Sequence, residues 1–274
     1  HVQLGGHPGL QQALGQLDVL VEEEVDAADV DVGRGQAGEV ARAGRGGVRV
    51  GLAAAQVPAP GLDVRAAVPG ADVDDVTRAL GMDRRIGPKY LRAGMGYGGP
   101  CFPRDNVALA AFGQSVHAWM DIPRATDQAN RYRLVHLADQ IALSVANNTV
   151  VAILGMSYKP GTAVIDESPG LELARKLSAV LQVTVFDPIA MAAAKAELGN
   201  RVAYAESVAE CVRDAHVIVV ANPDSTFTDL GDCTGKTVID PWRIVTGHTG
   251  ADYRPFGIGA TDEATEARLR KMWS

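Results

Sequence analysis

Residues 1–69 contain no lysine, isoleucine, serine, threonine, asparagine, cysteine, methionine, phenylalanine, tyrosine or tryptophan. Helical and strand periodicity are correspondingly weak there. Every residue as far as Val76 is drawn from Gly, Ala, Val, Asp, Glu, Leu, Pro, His, Gln and Arg, the set whose codons can begin with G or C. In a GC-rich gene the third codon position is nearly always G or C, so a frame that puts that position first yields only this set. Residues 1–68 are therefore expected to be a frameshifted, poorly ordered reading of the gene. The competing reading is a genuine low-complexity segment rich in Ala, Gly and Val.

Other scarcities narrow the function. Cysteine occurs only at positions 101, 211 and 233, which gives neither a disulfide framework nor a metal pair and fits a reduced, cytoplasmic setting. Cys211 and Cys233 are expected to pack or to sit at the surface. The histidines show no HExxH or paired spacing, so no metal site is expected. Apolar runs such as Val217–Ala221 are too short to span a bilayer, and no charged-then-apolar leader opens the chain. Cations are outnumbered, 26 against 33, and the net charge of −7 argues against a nucleic-acid or anionic-membrane partner. At 274 residues, 47% hydrophobic and 22% charged, the chain is globular in composition and allows one or two domains.

The stretch that stands out is 89–106, KYLRAGMGYGGPCFPRDN. Gly94, Gly96, Gly98 and Gly99 let a backbone approach another group closely, and Pro103 suits the first turn of a helix, where its missing N–H has no partner to lose. Cys101 then sits at the positive end of a helix dipole beside Arg104. Both favour thiolate over thiol, and the thiolate is the nucleophile. Asp105, close by, is placed to accept a proton or steer a water. The plainer reading is a small buried hydrophobe after an ordinary glycine turn.

From Gly70 the pattern is regular. Asp72–Leu80 reads as a short helix with Val73, Val76 and Leu80 on one face and Gly81 as its stop. A second helix is expected over 103–112. A third, over 123–145, carries the stripe Leu134, Leu137, Ala138, Ile141 and Ala142, either a dimer contact or simply core. Strands are expected at Thr149–Leu154, Val183–Phe186, Val217–Val220 and Thr237–Ile239, the first apolar enough to be buried on both faces. They alternate with helices opened by Ser168-Pro169 and lying over 189–198 and 206–214. That alternation implies an α/β fold with a parallel, doubly wound sheet whose ligand crevice lies at the strand C-termini. Lys159, Asp187, Asn222 and Arg243 fall just beyond strand ends, and Lys159 is a candidate for meeting a phosphate or sugar hydroxyl, although most loop lysines are merely solvated.

Two long segments carry a family resemblance. Residues 70–110, GADVDDVTRALGMDRRIGPKYLRAGMGYGGPCFPRDNVALA, and then VAILGMSYKPGT with ESP at 167–169, resemble the UDP-glucose/GDP-mannose dehydrogenases. The resemblance implies a helical central, dimerising domain over 69–146 and a Rossmann-like domain for the UDP moiety over 147–274. It implies Cys101 and Asp105 as catalytic residues, and Arg85, Tyr90, Leu91, Arg92, Tyr97, Gly98, Gly99 and Lys159 as contacts of a nucleotide-sugar substrate, with Arg85 reaching a partner's site. Arg243 lies within one residue of a further substrate arginine. Arg104, in place of the commoner lysine, is the expected cofactor contact, the cofactor being NAD. A homodimer through the 123–145 helix and a role in supplying sugar acids for surface polysaccharide follow in the same way.

The implied reaction is a two-step, four-electron oxidation of a sugar CH–OH group to a carboxylate through a Cys101 thioester. The chain departs from the family where T-D-D-x-R-E-S-P is usual, since Asp166 stands in place of an arginine that meets NAD. The resemblance also implies an N-terminal Rossmann domain that holds NAD, and here it is missing or misread: its fingerprint G-x-G-x-x-G is absent, Gly44, Gly46 and Gly47 lack that spacing, and no lysine precedes Lys89. The alternative function is thus an inactive fragment that binds nucleotide sugar or dimerises. If residues 1–68 are frameshifted, another frame of the gene must encode a dehydrogenase-like helix.

Overall fold

A computed structural model describes residues 71–258; the expectations for residues 1–68 lie outside it. Helix α1 is Val73–Gly81, capped by the Asp72 carboxylate, which accepts from the Asp74 N–H at 2.9 Å. Its buried face is Val73 and Thr77. Leu80, expected on that face, is exposed, whereas Val73 packs so closely on Gly257 that a Cβ there would lie 2.3 Å from its side chain. Residues 82–101 form no regular element. Helix α2, Phe102–Ser115, follows with Pro103 in its first turn, and α3 is Asp121–Ser144.

The second half alternates as expected. Strand β1 (Val150–Leu154) leads to α4 (Pro169–Leu177), capped by Ser168, then β2 (Gln182–Phe186), α5 (Met191–Leu198), β3 (Ala203–Tyr204), α6 (Val208–Arg213) and β4 (Val217–Val220). Next come β5 (Asp229–Asp232), β6 (Thr237–Asp240), β7 (Gly247–Thr249) and β8 (Asp252–Pro255). Six strands form one parallel sheet in the order β3-β2-β1-β4-β6-β8, with Val151 facing Val183 on one side and Val217 on the other. Strands β5 and β7 pair separately.

Alternation along β1 sorts the core into two layers. Val151 and Ile153 join Val185, Val219, Leu173 and Leu177 on one face, whereas Ala152 and Leu154 join Ile218, Val220, Phe227 and Val238 on the other. The α3 stripe resolves as core: Leu137, Ala138 and Ile141 are buried in the first layer, with Leu134 and Ala142 packed against it. Burying each such aliphatic side chain stabilises the fold by about 1.5–3 kcal/mol. The outer side of α3 carries exposed Ile122, Tyr132 and Leu143. No helix among the described residues is long and apolar enough to cross a membrane.

Candidate active site

The C-terminal ends of the central strands carry polar groups, most of which hold the loops themselves. Asp187, after β2, is buried and accepts from the N–H groups of Met156 (2.8 Å), Ser157 (2.9 Å), Ile189 (2.8 Å) and Ala190 (2.7 Å), and from the Ser157 hydroxyl (2.9 Å). Burial pushes its pKa up, but these backbone donors together outweigh it and hold the carboxyl below its ordinary value. Asn222, after β4, donates to the Ser157 carbonyl and hydroxyl at 3.3 and 3.0 Å. Asp240, closing β6, accepts from Trp242, Arg243 and Val245 N–H groups and from the Tyr253 hydroxyl. Lys159 differs. Its ammonium is exposed, 5.3 Å from the Tyr158 ring centroid, in a loop turned by Gly155 (φ +104°) and Gly161 (φ +75°).

The glycine loop lies against these strand ends. A Cβ on Gly94 would stand 2.5 Å from the Trp242 ring, one on Gly98 2.1 Å from the Glu167 carbonyl oxygen, and one on Gly99 2.6 Å from the Tyr158 ring. The Gly99 N–H donates to the Asp166 carbonyl at 2.8 Å, and Arg133 donates to the Gly94 carbonyl at 3.1 Å. Gly98 and Gly99 are thus small because their own chain presses on them. Arg92 is exposed, its guanidinium 5.2 Å from the Trp242 ring centroid. Leu91 is half-buried, and Tyr90 is exposed with a left-handed backbone, φ 69°. Tyr97 points inward: its hydroxyl accepts from Asn106 at 2.9 Å, its N–H donates to Asn130 at 2.9 Å, and burial pushes its phenol up to about 12.

Cys101 ends this loop as the N-cap of α2, exposed, with its carbonyl accepting from the Asp105 N–H at 2.8 Å. The Asp105 carboxylate pairs with Arg104 at 3.5 Å on the same exposed turn. Cysteine, carboxylate and guanidinium are therefore neighbours at the head of a fourteen-residue helix, as the sequence pattern suggests. The sulfurs of the other two cysteines are buried, and burial pushes the Cys211 thiol up to about 12.

Two predicted contacts are engaged elsewhere. Arg85 turns back on Asp83, its Nε 3.0 Å from Oδ1. Arg243, in a left-handed conformation (φ 59°), pairs with Asp72 and Asp74, both at 3.0 Å. The Arg243 hydrogen bonds hold the Asp72 carboxyl down to about 2. Sequence reasoning missed Asp72, Trp242, Asn106 and Asn130. Only Asp72 had a local signal, as a helix cap; the others are defined by partners distant in sequence.

The comparisons with known proteins agree with this arrangement. Residues 62–132 match the central domain of the UDP-glucose/GDP-mannose dehydrogenase family, and residues 152–247 its UDP binding domain. A UDP-glucose 6-dehydrogenase of Rickettsia felis is 34% identical over 166 residues, 59% of this chain and 37% of that protein. The UDP-glucose 6-dehydrogenase AglM of Haloferax volcanii is 32% identical over 190 residues, 67% of this chain and 44% of that protein. The structure of a UDP-glucose dehydrogenase from Pyrobaculum islandicum superposes with a TM-score of 0.71 at 32% identity, over 79% of this chain and 50% of that one. The chain thus spans half or less of the length of these relatives. With both of its matched domains in order along one chain, this protein belongs to the UDP-glucose/GDP-mannose dehydrogenase family.

Proposed function

We propose that the chain is the substrate-binding and thiol-bearing part of a nucleotide-sugar 6-dehydrogenase, an oxidoreductase acting on a CH–OH group. The observation that carries this reading is Cys101, exposed at the N-cap of α2 at the end of a glycine loop seated on the strand ends of a UDP binding domain. Lys159 supplies an unshielded cation at the end of β1, where the nucleotide's phosphates are expected. Arg92 adds a second at the end of β6. Arg243 serves the substrate only by leaving Asp72 and Asp74, so its first role is to fix α1. Arg85 is the residue proposed to reach the partner's site in a homodimer, exchanging Asp83 for substrate, and the exposed side of α3 is the proposed dimer surface. The proposed setting is cytoplasmic.

NAD is the acceptor the family resemblance implies, and the described residues do not fit it. In a dinucleotide fold an acid at the end of the second strand takes the ribose hydroxyls. Here the corresponding Asp187 already accepts five hydrogen bonds, and the first turn, Gly155-Met-Ser-Tyr-Lys-Pro-Gly161, lacks the G-x-G-x-x-G spacing. Arg104 is beside Asp105 and has no second basic neighbour on its turn. The roles proposed for the described residues are therefore substrate capture and thiol chemistry, and not hydride transfer.

The family resemblance implies two hydride acceptors, NAD held outside the described residues, the first of which would take a hydride from the primary alcohol as its hydroxyl proton leaves, giving the aldehyde. The Cys101 sulfur adds to the aldehyde carbon and holds it covalently, so that a reactive intermediate is not lost between the two oxidations. Loss of the thiohemiacetal's hydride to a second such acceptor, and of its hydroxyl proton, would leave the carbon as a thioester. Water then adds to it, Asp105 accepting the water's proton, and the thiol leaves as the carboxylate forms.

The test is NAD reduction by the purified chain with UDP-glucose, UDP-N-acetylmannosamine and GDP-mannose in turn, with Cys101→Ser as control. Turnover that is lost in Cys101→Ser supports the dehydrogenase. Binding of UDP-glucose by calorimetry without turnover would mean that this chain binds the nucleotide sugar and leaves hydride transfer to residues outside those described. Neither binding nor turnover would overturn the dehydrogenase reading and leave of the alternative only a fragment that dimerises.

A further inference from the structure

We propose that Asn130 and Asn106 are positioning residues that set Cys101 by gripping the two ends of Tyr97. Tyr97 lies four residues before the cysteine. The Asn130 carboxamide meets its peptide twice, accepting from the Tyr97 N–H and donating to the Tyr97 carbonyl, each at 2.9 Å. A planar group with one donor and one acceptor side by side does this, whereas a carboxylate or a leucine does not. The approach needs Gly96, whose Cβ would lie 2.1 Å from the Asn130 Oδ1.

At the other end of the side chain the Tyr97 hydroxyl accepts from Asn106 Nδ2 at 2.9 Å, with both residues buried. Asn106 is one turn into α2, the helix that Cys101 caps. The Tyr97–Asn106 hydrogen bond therefore closes a ring of chain from 97 to 106, inside which lie Cys101 and Asp105. Helix α3 fixes one side of that ring through Asn130, and α2 fixes the other through Asn106. The Gly99 N–H bond to Asp166 pins the peptide between Tyr97 and the cysteine.

The chemistry of Asn106 separates a positioning role from packing. It is 1% exposed, and its Oδ1 has no partner among the described residues. An unpaired buried acceptor is destabilising, and a leucine of similar volume would avoid it. The amide is retained where its other atom holds Tyr97.

The inference rests on the reading of Cys101 as the nucleophile, and its test needs neither NAD nor turnover. In the full chain, the rate of Cys101 alkylation by iodoacetamide at neutral pH is read by mass spectrometry, beside the melting temperature and UDP-glucose binding. Tyr97→Phe, which removes only the hydroxyl, and Asn130→Leu are each expected to slow alkylation by about threefold or more, since a displaced reactive atom changes rates steeply. Asn130→Gln, which restores the carboxamide, recovers about half of that change on a logarithmic scale. Ile141→Val, a remote core change, lowers the melting temperature and leaves the rate alone. Should Tyr97→Phe and Asn130→Leu alkylate no more slowly than Ile141→Val, the two asparagines are structural and the proposal is overturned. If Asn130→Leu does not fold, Tyr97→Phe alone decides. A chain that alkylates as expected but does not bind UDP-glucose sinks the dehydrogenase reading and keeps the clamp.

Discussion

Strand β1, through the loop that follows it, meets the glycine loop at Tyr158 and Gly99, yet strand and glycine loop are specified by different physics. Val151 to Leu154 have no exposed surface, and each is held by many weak apolar contacts from sheet and helix. Ala93 to Gly99 are also buried, apart from half-buried Gly96, but each glycine there answers to one distant group: Gly94 to Trp242, Gly96 to Asn130, Gly98 to Glu167. The strand is defined by kind of residue and tolerates another residue of the same kind. The loop is defined by single contacts and tolerates almost none.

The largest expected effect is on the strand. Ile153→Ala deletes a fully buried side chain at the middle of the sheet and should cost about 2–5 kcal/mol in urea denaturation. The folded fraction should still alkylate at Cys101 at the wild-type rate. A changed rate would mean that loop and strand are one cooperative unit and would break the contrast.

Gly98→Ala is the matching change in the loop. Its Cβ would meet the Glu167 carbonyl, a backbone group that cannot swing aside, so about 1–3 kcal/mol is expected from strain. The sharper outcome is functional. UDP-glucose binding by calorimetry should weaken by about tenfold or more, because displacing the loop displaces every contact it carries. Equal stability loss in Ile153→Ala with equally weakened binding would show that the loop has no special role.

The same contrast explains what could be read from the sequence. Strands β1, β4 and β6 are legible as β-branched apolar runs because both of their faces are buried, and β2 because Val183 and Val185 fill its one buried face. Strands β3, β5, β7 and β8 were missed. They are short, and sequences such as Asp229–Asp232 or Asp252–Pro255 bury one residue or none, so they carry no apolar run. The 89–106 stretch was legible as a site by its glycines, cysteine and proline. What those glycines pack against was not, because Trp242, Asn130 and Glu167 lie 34 to 148 positions away from them. The α3 stripe had a clear period, but a period shows that a face is covered and not what covers it.

The smallest effect expected is at the edge of the loop region, where α1 is tied to the sheet. Arg243 holds Asp72 and Asp74 across a partly exposed contact, with the Arg243 and Asp72 side chains 22% and 34% exposed, so solvent screens the pair and only a modest contribution follows. The Asp72 carboxyl is held at about 2 against 3.8 in the unfolded chain, chiefly by the Arg243 hydrogen bonds. A depressed carboxyl stabilises the fold above its unfolded value and loses that contribution as pH falls toward its folded value. Asp72→Asn should therefore melt lower than the wild type at neutral pH, and the two melting curves should converge between about pH 4 and pH 2. Arg243→Met should behave alike, with little effect on binding if Arg243 serves α1 alone. A tenfold loss of UDP-glucose affinity in Arg243→Met, with Asp72→Asn binding normally, would show that the arginine leaves its carboxylates for the nucleotide and belongs with the loop's single, irreplaceable contacts.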